Sequence, residues 1–177
     1  MVMRTTDGIT LVELLVTVSV ASILATVAVP SLYSVINNNR LTTVTNTLLS
    51  SFYLTRSEAI KRNTRVTMAA NNGNWKNGWV VFVDGNANAV VDPDEQIIQQ
   101  HEAIRGEILI QGNRHVSRYI SYLSSGFNRT LSGALQLGTI SVCDGSGNSD
   151  GTHARALRVN YGGRWWVSRQ PAHINCN

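Results

Sequence analysis

The sequence of 177 residues lacks short motifs that mark common metal-dependent and nucleotide-dependent enzymes. It contains no His-Glu-x-x-His segment and no Walker loop. Its four histidines lie far apart along the chain and show no ligand spacing for a metal ion. They are His101, His115, His153 and His173. We therefore predict a protein that is not an enzyme and that needs no cofactor.

Charge is almost absent from residues 9–29, where Glu13 is the one ionisable side chain. About 21 helical residues at roughly 1.5 Å each cover about 31 Å, which is close to the thickness of the hydrocarbon core of a membrane. This segment is therefore predicted to be a transmembrane helix. A carboxylate in such a helix is costly, which favours a functional role for Glu13 with a cationic partner from another chain or from a freed N-terminus.

The residues before and around Glu13 form a recognisable signal. A short hydrophilic leader, residues 1–8, contains Arg4 and ends in Gly8, and Ile-Thr-Leu-Val-Glu follows from Ile9. This pattern resembles the signal of type IV pilins and type II secretion pseudopilins. The resemblance implies that a prepilin peptidase cuts between Gly8 and Ile9 and that the new N-terminal residue is methylated. The family usually has Phe after the cut, and Ile9 keeps the apolar character.

An ordinary secretory signal peptide is the alternative interpretation of the same segment. Its cleavage site of small residues should lie at the far end of the apolar run. The residues found there, Ala-Val-Pro-Ser-Leu-Tyr, match that pattern poorly. We therefore keep the resemblance to the pilin signal, with residues 9–29 as a permanent anchor.

Cysteine is scarce, with one residue at Cys143 and one at Cys176. If Arg4 keeps the start of the anchor in the cytoplasm, both cysteines lie outside it, where an oxidising compartment favours a disulfide. Closing a loop of about 30 residues would contribute roughly 3 to 4 kcal/mol in the chain-entropy model. The spacing leaves open whether the two sulfur atoms meet. A catalytic Cys143 is an alternative, although no partner signature stands beside it.

Residues 30–62 are predicted to continue the helix as an amphipathic half. Pro30 should bend the helix, since proline removes a backbone donor and clashes with the preceding turn. The Lys61-Arg62 pair followed by Asn63 suits a helix C-terminus. We expect the apolar face of this half to cover a sheet. That face holds Leu41, Val44, Leu48, Phe52 and Ala59.

After position 63 the pattern changes from helical to extended. Asn72-Gly73 is predicted to form a hairpin turn between the first two strands. Residues 63–177 are therefore one α+β domain, with an antiparallel sheet packed on the long helix. The predicted strands cover residues 65–69, 78–83, 97–101, 107–111, 119–123, 137–143, 156–160 and 165–168.

Three segments of the chain sharpen the resemblance. They are Ser-Glu-Ala-Ile-Lys-Arg-Asn at 57–63, Gly-Trp-Val-Val-Phe-Val-Asp at 78–84 and the late Gly163-Arg164. Together they are similar to the GspH/FimT branch of minor pilins and pseudopilins. The resemblance implies a type IV pilin-like fold and a low-copy structural subunit near the filament tip that helps to initiate assembly.

The resemblance also implies partners and a location. Prepilin peptidase would process the chain, and a single-pass anchor would hold it in the inner membrane with a periplasmic domain. Other pilin or pseudopilin subunits would be its neighbours in the filament, and the freed amine of one of them would pair with Glu13. The segment at 57–63 and the basic C-terminus favour a type IV pilus, with a GspH-like pseudopilin of a type II secretion system as the alternative.

Acidic and amide side chains after residue 83 have the spacing of a calcium loop. The sixth position holds Ala89, where such loops need glycine, and predicted strands rather than helices flank the loop. We favour the alternative, a long connection whose Asp and Asn side chains cap their own backbone. The candidate ligands are Asp84, Asn86, Asn88, Val90, Asp92 and Glu95.

Acidic residues are absent from residues 151–177, although the net charge of the whole chain is only +4. Arginines interleaved with aromatic residues could grip phosphates while the rings stack on bases. The resemblance implies that some FimT-like pilins bind DNA in natural transformation through a Gly-Arg-x-Arg motif. Here Gly163-Arg164-Trp165-Trp166 lacks the second arginine. The candidate residues are Arg155, Arg158, Arg164, Trp165, Trp166 and Arg169, beside Tyr161.

The alternative for this basic tail is structural. In that interpretation Trp165 and Val167 alternate into the core of a last strand, and the arginines keep the surface soluble. DNA binding therefore enters as a hypothesis beside this structural alternative.

Overall fold

The computed structural model describes residues 8–176, in two compact units that meet after Asn37. The leader residues 1–7, including Arg4, lie outside the described residues. One long helix, α1 (Leu11–Arg62), begins two residues after the predicted start and ends at the predicted Arg62. It is continuous across position 30, where the sequence predicts a bend.

Both ends of α1 carry the expected terminal chemistry. At the start, the Thr10 hydroxyl accepts a hydrogen bond from the backbone N–H of Glu13 at 3.2 Å, which satisfies one of the free donors of the first turn. At the end, Asn63 has a left-handed backbone with φ of 51°. The N–H of Thr64 then returns to the carbonyl of Ala59 at 3.2 Å, and this closes the helix.

Eight strands follow, and each boundary lies within two residues of the prediction. All strand pairings are antiparallel, as predicted. The strands are β1 (Val66–Ala70), β2 (Trp79–Val83), β3 (Ile97–His101), β4 (Leu109–Gly112), β5 (Tyr119–Tyr122), β6 (Gly138–Cys143), β7 (Ala154–Val159) and β8 (Trp165–Ser168).

The strands form two sheets of four strands rather than the single sheet that the sequence predicts. The first sheet has the order β3-β2-β1-β5 and the second has the order β4-β6-β7-β8. The α+β class with antiparallel strands packed on a long helix is nevertheless confirmed.

One hydrophobic core joins both sheets to the second half of α1. The five predicted apolar residues of the helix are all buried in it, namely Leu41, Val44, Leu48, Phe52 and Ala59. At its centre the ring of Phe52 stacks on Trp165 with 4.1 Å between centroids and meets the edge of Trp75 at 6.1 Å. Such aromatic pairs stabilise a core beyond their area of contact.

The connection between β1 and β2 is longer than the predicted two-residue turn. Asn72 and Gly73 do adopt the left-handed backbone, with φ of 53° and 71°. They belong to a pair of short 3-10 turns, Asn71–Gly73 and Trp75–Asn77. The extra length places Trp75 in the core, where its indole N–H donates to the carbonyl of Val116 at 3.1 Å.

Candidate assembly and ligand-binding surfaces

The first half of α1 exposes its apolar side chains to the surroundings. By length and composition, the helix contains a stretch that is apolar enough to cross a membrane. The exposed large residues are Ile9, just before the helix, and then Leu11, Val12, Leu14, Leu15, Val16, Val18, Val20, Ile23, Leu24 and Val29. The exposed run continues into the start of the second half with Leu32, Tyr33, Val35 and Ile36. An exposed apolar surface of this length marks a segment that needs a lipid or protein partner.

The hydroxyl groups within this half are satisfied by the helix itself. Thr17 donates to the carbonyl of Leu14 at 2.9 Å, and Ser22 donates to the carbonyl of Val18 at 2.7 Å. Ser19 and Thr26 do the same. A hydroxyl with an internal acceptor can enter an apolar environment at little cost. The polar residues of the segment are therefore compatible with a membrane or with a bundle of helices.

Glu13 is the exception in this half. It lies in the first turn of α1, where a negative charge interacts favourably with the helix dipole. Its carboxylate forms no ion pair within the part of the chain that the structure describes. Residues 8–176 of the single chain thus supply no cationic partner for this carboxylate.

The segment at 57–63 ends α1. Glu58 accepts from the Arg62 side chain at 2.5 Å and from Lys61 at 3.4 Å, and Ala59 is fully buried. The hydrogen bond from Arg62 lowers the pKa of Glu58 below its usual range. Arg62 also donates to the side chain of Gln96 at 2.6 Å. This conspicuous motif is therefore explained by helix termination and needs no ligand.

Gly163 is also explained by packing. Its φ is 73°, and a Cβ at this position would lie 2.8 Å from the carbonyl oxygen of Gly126 and 2.8 Å from the ring of Tyr122. The Tyr122 hydroxyl donates to the Gly163 carbonyl at 2.8 Å. Burial raises the pKa of Tyr122 far above its ordinary value, so the phenol stays a protonated donor. Glycine is required here by the fold.

The predicted basic tail divides between two sides of the second sheet. On the outer side, Arg158 pairs across the strands with Trp166, and its guanidinium lies 5.3 Å from the centre of that ring. Arg158 also donates to His173 Nε2 at 2.9 Å. Arg164 is exposed and lies directly before β8, two residues from Trp166. We call Arg158, Arg164 and Trp166 the outer basic patch.

Two of the predicted DNA ligands are buried, which corrects the sequence interpretation. Trp165 is 1% exposed, and its indole N–H donates to the Tyr122 hydroxyl at 2.8 Å. Arg155 is 2% exposed. Its guanidinium donates to the Ala154 carbonyl at 2.8 Å, to the Gly151 carbonyl and to the amide oxygen of Asn38. Neither side chain is free to bind a nucleic acid from the surface.

Arg169 belongs with Arg155 on the inner side, next to the helix. Burial, and after it the positive charge of Arg169, lowers the pKa of Arg155. Val167 is also on this side but remains 38% exposed, so the structural alternative is right for Trp165 and only partly right for Val167. Arg155 and Arg158 lie on opposite sides of the sheet because they are an odd number of residues apart on one strand, and side chains alternate between the two faces of a strand.

The loop after β2 closes on its own side chains. The buried carboxylate of Asp84 accepts from the Thr67 hydroxyl at 2.6 Å and from the N–H of Asn88 at 3.0 Å. Asp92 accepts from the Asn86 and Asn88 side-chain amides at 2.7 and 2.8 Å. Glu95 accepts from backbone N–H groups at Gly85 and Asp92. These bonds are the backbone and side-chain caps of the favoured interpretation, and calcium binding stays the untested alternative.

The two cysteines form a disulfide, with the S–S bond at 2.00 Å. This bond holds the end of the chain against the outer side of the second sheet. There Ile174 packs with Cys143, Ala154 and Ala156 in a small second apolar cluster. Both sulfur atoms are occupied, which removes the catalytic alternative for Cys143.

The sequence interpretation missed one enzyme-like pattern, in the loop between β6 and β7. Residues 147–151 read Gly-Asn-Ser-Asp-Gly, the letters of a nucleophile elbow. Such an elbow needs a strand before the serine and a helix after it, and here strand β7 follows. The adjacent His153 Nδ1 lies 2.7 Å from Asp144 Oδ2, which raises the pKa of the imidazole. This pair closes a surface loop, and among residues 8–176 no group of acidic, histidine and cysteine side chains could hold a metal ion.

The comparisons with known proteins agree with this geometry. The family described as "Type II transport protein GspH" matches residues 44–163, which is well over half of the chain. The family described as "Prokaryotic N-terminal methylation motif" matches residues 3–29. No curated protein matches the chain by sequence.

Two solved structures are similar to the fold. Both are crystal structures of the type IV minor pilin FimU of Pseudomonas aeruginosa strain PAO1. The crystal form in space group P21 has a TM-score of 0.62 at 16% identity, over 78% of this chain and 94% of that one. The form in space group P65 has a TM-score of 0.59 at 15% identity, over 77% and 98%. At these identities the likeness concerns the fold.

Proposed function

The chain belongs to the GspH/FimT family of minor pilins and pseudopilins, and we propose that it is a minor pilin that is processed by prepilin peptidase and built into a type IV pilus. The N-terminal methylation motif and the apolar first half of α1 fit a membrane-anchored pilin. One observation carries the proposal. The apolar side chains of this half are exposed, while its hydroxyl groups are already satisfied.

The anchor explains how the subunit would pass from membrane to filament. Residues 9–29 would hold it in the inner membrane with the domain in the periplasm. Extraction from lipid requires another apolar environment, which the helices of neighbouring subunits would supply. Cleavage between Gly8 and Ile9 would free the backbone amine that a neighbour's Glu13 needs, because a carboxylate among apolar helices is tolerated only when it is paired.

The pairing role of Glu13 is tested by Glu13→Ala in the full chain. The variant should be cleaved and inserted in the membrane as the wild type is, and the amount recovered in sheared filaments should fall about tenfold or more, as expected for an unpaired buried charge on the partner. Thr10→Val is a matched control in the same turn, since it removes a cap and leaves the carboxylate. Normal recovery of the Glu13→Ala chain would refute the pairing role.

The choice of machine is the finer part of the proposal. The basic C-terminus and the similarity to a type IV minor pilin support the pilus, whereas the family description names type II transport. A tagged full chain should copurify with sheared pili, and its loss should reduce the number of pili. Copurification with secretion subunits and a secretion defect with normal pili would favour the pseudopilin alternative.

DNA binding is a second candidate function, and the outer basic patch favours it. Arg158 is held over Trp166, which is 39% exposed and offers a face for a base. Arg158 is partly buried, Arg164 adds a second charge that is exposed, and Tyr161 is 65% exposed nearby in sequence. Two arginines beside an aromatic face match the phosphate and stacking contacts of single-strand binding.

This candidate is tested by DNA mobility shifts with the full chain in detergent at low and at physiological salt. Arg164→Ala with Trp166→Ala should weaken retention, because each base stacked on an aromatic side chain contributes about 1–3 kcal/mol. Arg169→Ala is the matched control, since this arginine lies on the other side of the sheet. Equal retention by all variants would leave a purely structural subunit.

A further inference from the structure

A groove lies between the second half of α1 and the end of β8, within the second unit. Its volume is about 310 Å³. It is lined by Thr42, Thr45, Asn46, Arg155, Val167 and Arg169. We call it the Arg155–Arg169 groove. Neither the family motifs nor the outer basic patch includes it.

The groove holds two positive charges and no negative one. Every acceptor recorded for the Arg155 guanidinium is a neutral oxygen, from two backbone carbonyls and the Asn38 amide. Among residues 8–176 no Asp or Glu forms an ion pair with Arg155 or Arg169. A buried cation without a counterion is costly, and a second cation beside it adds to that cost. The groove is therefore built to gain free energy from an anion.

The remaining polar groups of the lining point to the same ligand. The hydroxyls of Thr42 and Thr45 donate to helix carbonyls at 2.9 and 2.7 Å. The side chain of Asn46 makes no hydrogen bond to any residue in the described range. Three hydrogen bonds already occupy part of the Arg155 guanidinium, so the donors left to a ligand are its remaining N–H groups, the Arg169 guanidinium and the Asn46 amide. This set suits an oxyanion with two or more acceptor oxygens.

The burial of Arg155 in the groove favours some oxyanions over others. Arg155 is only 2% exposed, so the anion must reach it at the end of a slim arm. The carboxylate of an Asp or Glu side chain meets this condition. A phosphodiester of DNA or of a membrane lipid carries substituents on two sides, so it needs a wider approach to the buried Arg155 than a carboxylate does.

We propose that the Arg155–Arg169 groove receives an Asp or Glu side chain of a neighbouring pilin-type subunit in the assembled filament. This inference rests on the proposed function, since it needs a filament in which the domain has neighbours. The salt bridge forms only in the assembly, where it supplies the counterion that Arg155 lacks in the single chain.

A zero-length cross-link tests this contact directly. The chain contains two lysines, Lys61 and Lys76, so an added amine is easily mapped. Arg169→Lys keeps the positive charge and supplies that amine. A carbodiimide activates a touching carboxylate, the amine displaces the activator as a urea, and an amide bond remains. Sheared filaments that carry the Arg169→Lys chain should yield an adduct at position 169 with an Asp or Glu of another pilin-type subunit.

Arg164→Lys is the matched control, because it places an amine on the exposed outer side of the same tail. It should give no adduct of comparable yield. Arg169→Glu should reduce recovery in filaments roughly tenfold or more, because it sets two carboxylates against each other. Cleavage and membrane insertion of that variant should be unchanged.

The outcomes separate this inference from the proposed function. Filaments that contain the Arg169→Lys chain without an adduct at 169, or with an equal adduct at position 164, would overturn the inference alone. Cross-linking of position 169 to lipid or to DNA would overturn it as well. A wild-type chain that never enters filaments would contradict the proposed function, and the inference with it.

Discussion

The two halves of α1 are one continuous helix in opposite environments. Leu24 in the first half is 64% exposed, whereas Leu48 in the second half is fully buried. The second half packs on two sheets of its own chain, and the first half has no sheet to cover it. The charges differ in the same way, since Glu58 is paired with Arg62 and Glu13 forms no ion pair among the described residues.

The difference shows where each half obtains its stability. Helical propensity alone stabilises a helix weakly, and most of the free energy comes from burial of an apolar face. For the second half, the chain itself buries the apolar face from Leu41 onward. For the first half, a membrane or a bundle of neighbours must supply it. The comparison is sharp enough to be tested with the same substitution in both halves.

The largest expected effect is on the core. Leu48→Ala should lower the free energy of unfolding of the domain by about 2–5 kcal/mol, because it removes a buried side chain and leaves a cavity. Leu24→Ala makes the same change on the exposed half and should leave the domain unchanged. Denaturant unfolding of the full chain in detergent, followed by tryptophan fluorescence, measures both. Equal losses from the two variants would break the comparison.

A smaller effect is expected for the two tyrosines of the helix. The Tyr53 hydroxyl donates to the backbone carbonyl of Trp165 at 2.7 Å and ties α1 to β8. Tyr53→Phe should cost about 0.5–1.5 kcal/mol of domain stability, the usual contribution of one hydrogen bond. Tyr33 is 66% exposed, and Tyr33→Phe should cost nothing measurable in the same experiment. A loss caused by Tyr33→Phe would show that the exposed part of the helix also supports the domain.

Local sequence patterns predicted the helix and strands of this fold, but they did not predict which distant strands pair. The spacing of apolar residues was enough to predict the buried face of the helix that ends at Ala59 and the eight strands. Burial of one face of an element requires such regular spacing. The division into two sheets depends on which strands pair, and β5 pairs with β1 across about 50 residues of intervening sequence. No residue near either strand encodes that choice. Thr45 and Ser51 are polar residues whose burial could not be predicted from the sequence either, because it depends on the elements that pack around them.

The candidate surfaces show the same limit in a different form. Charge and aromatic content correctly marked the C-terminal tail as unusual, yet they placed all its arginines in one group. Strand alternation already separates Arg155 from Arg158, and this signal was available. The burial of Arg155 could not be predicted from this alternation, because it involves a contact with Asn38 in a distant part of the chain. Alternation along a strand therefore predicts on which side of the sheet a side chain lies. Whether another element covers that side depends on tertiary packing.

The smallest expected effect concerns the charge of Glu58, which completes the contrast with Glu13. The hydrogen bond from Arg62 lowers the pKa of Glu58 below 4.5. Because this pKa is lower in the folded state, the stabilisation by the pair is present above pH 4.5 and is lost as the pH falls through the folded pKa. A carboxyl titration by NMR should show the pKa of Glu58 returning toward 4.5 in Arg62→Gln. Lys61→Gln should move it less, since the Lys61 ammonium lies at 3.4 Å and the Arg62 guanidinium at 2.5 Å. A Glu58 carboxyl that titrates normally in the wild type would mean that the second half, like the first, leaves its glutamate to solvent or to a partner.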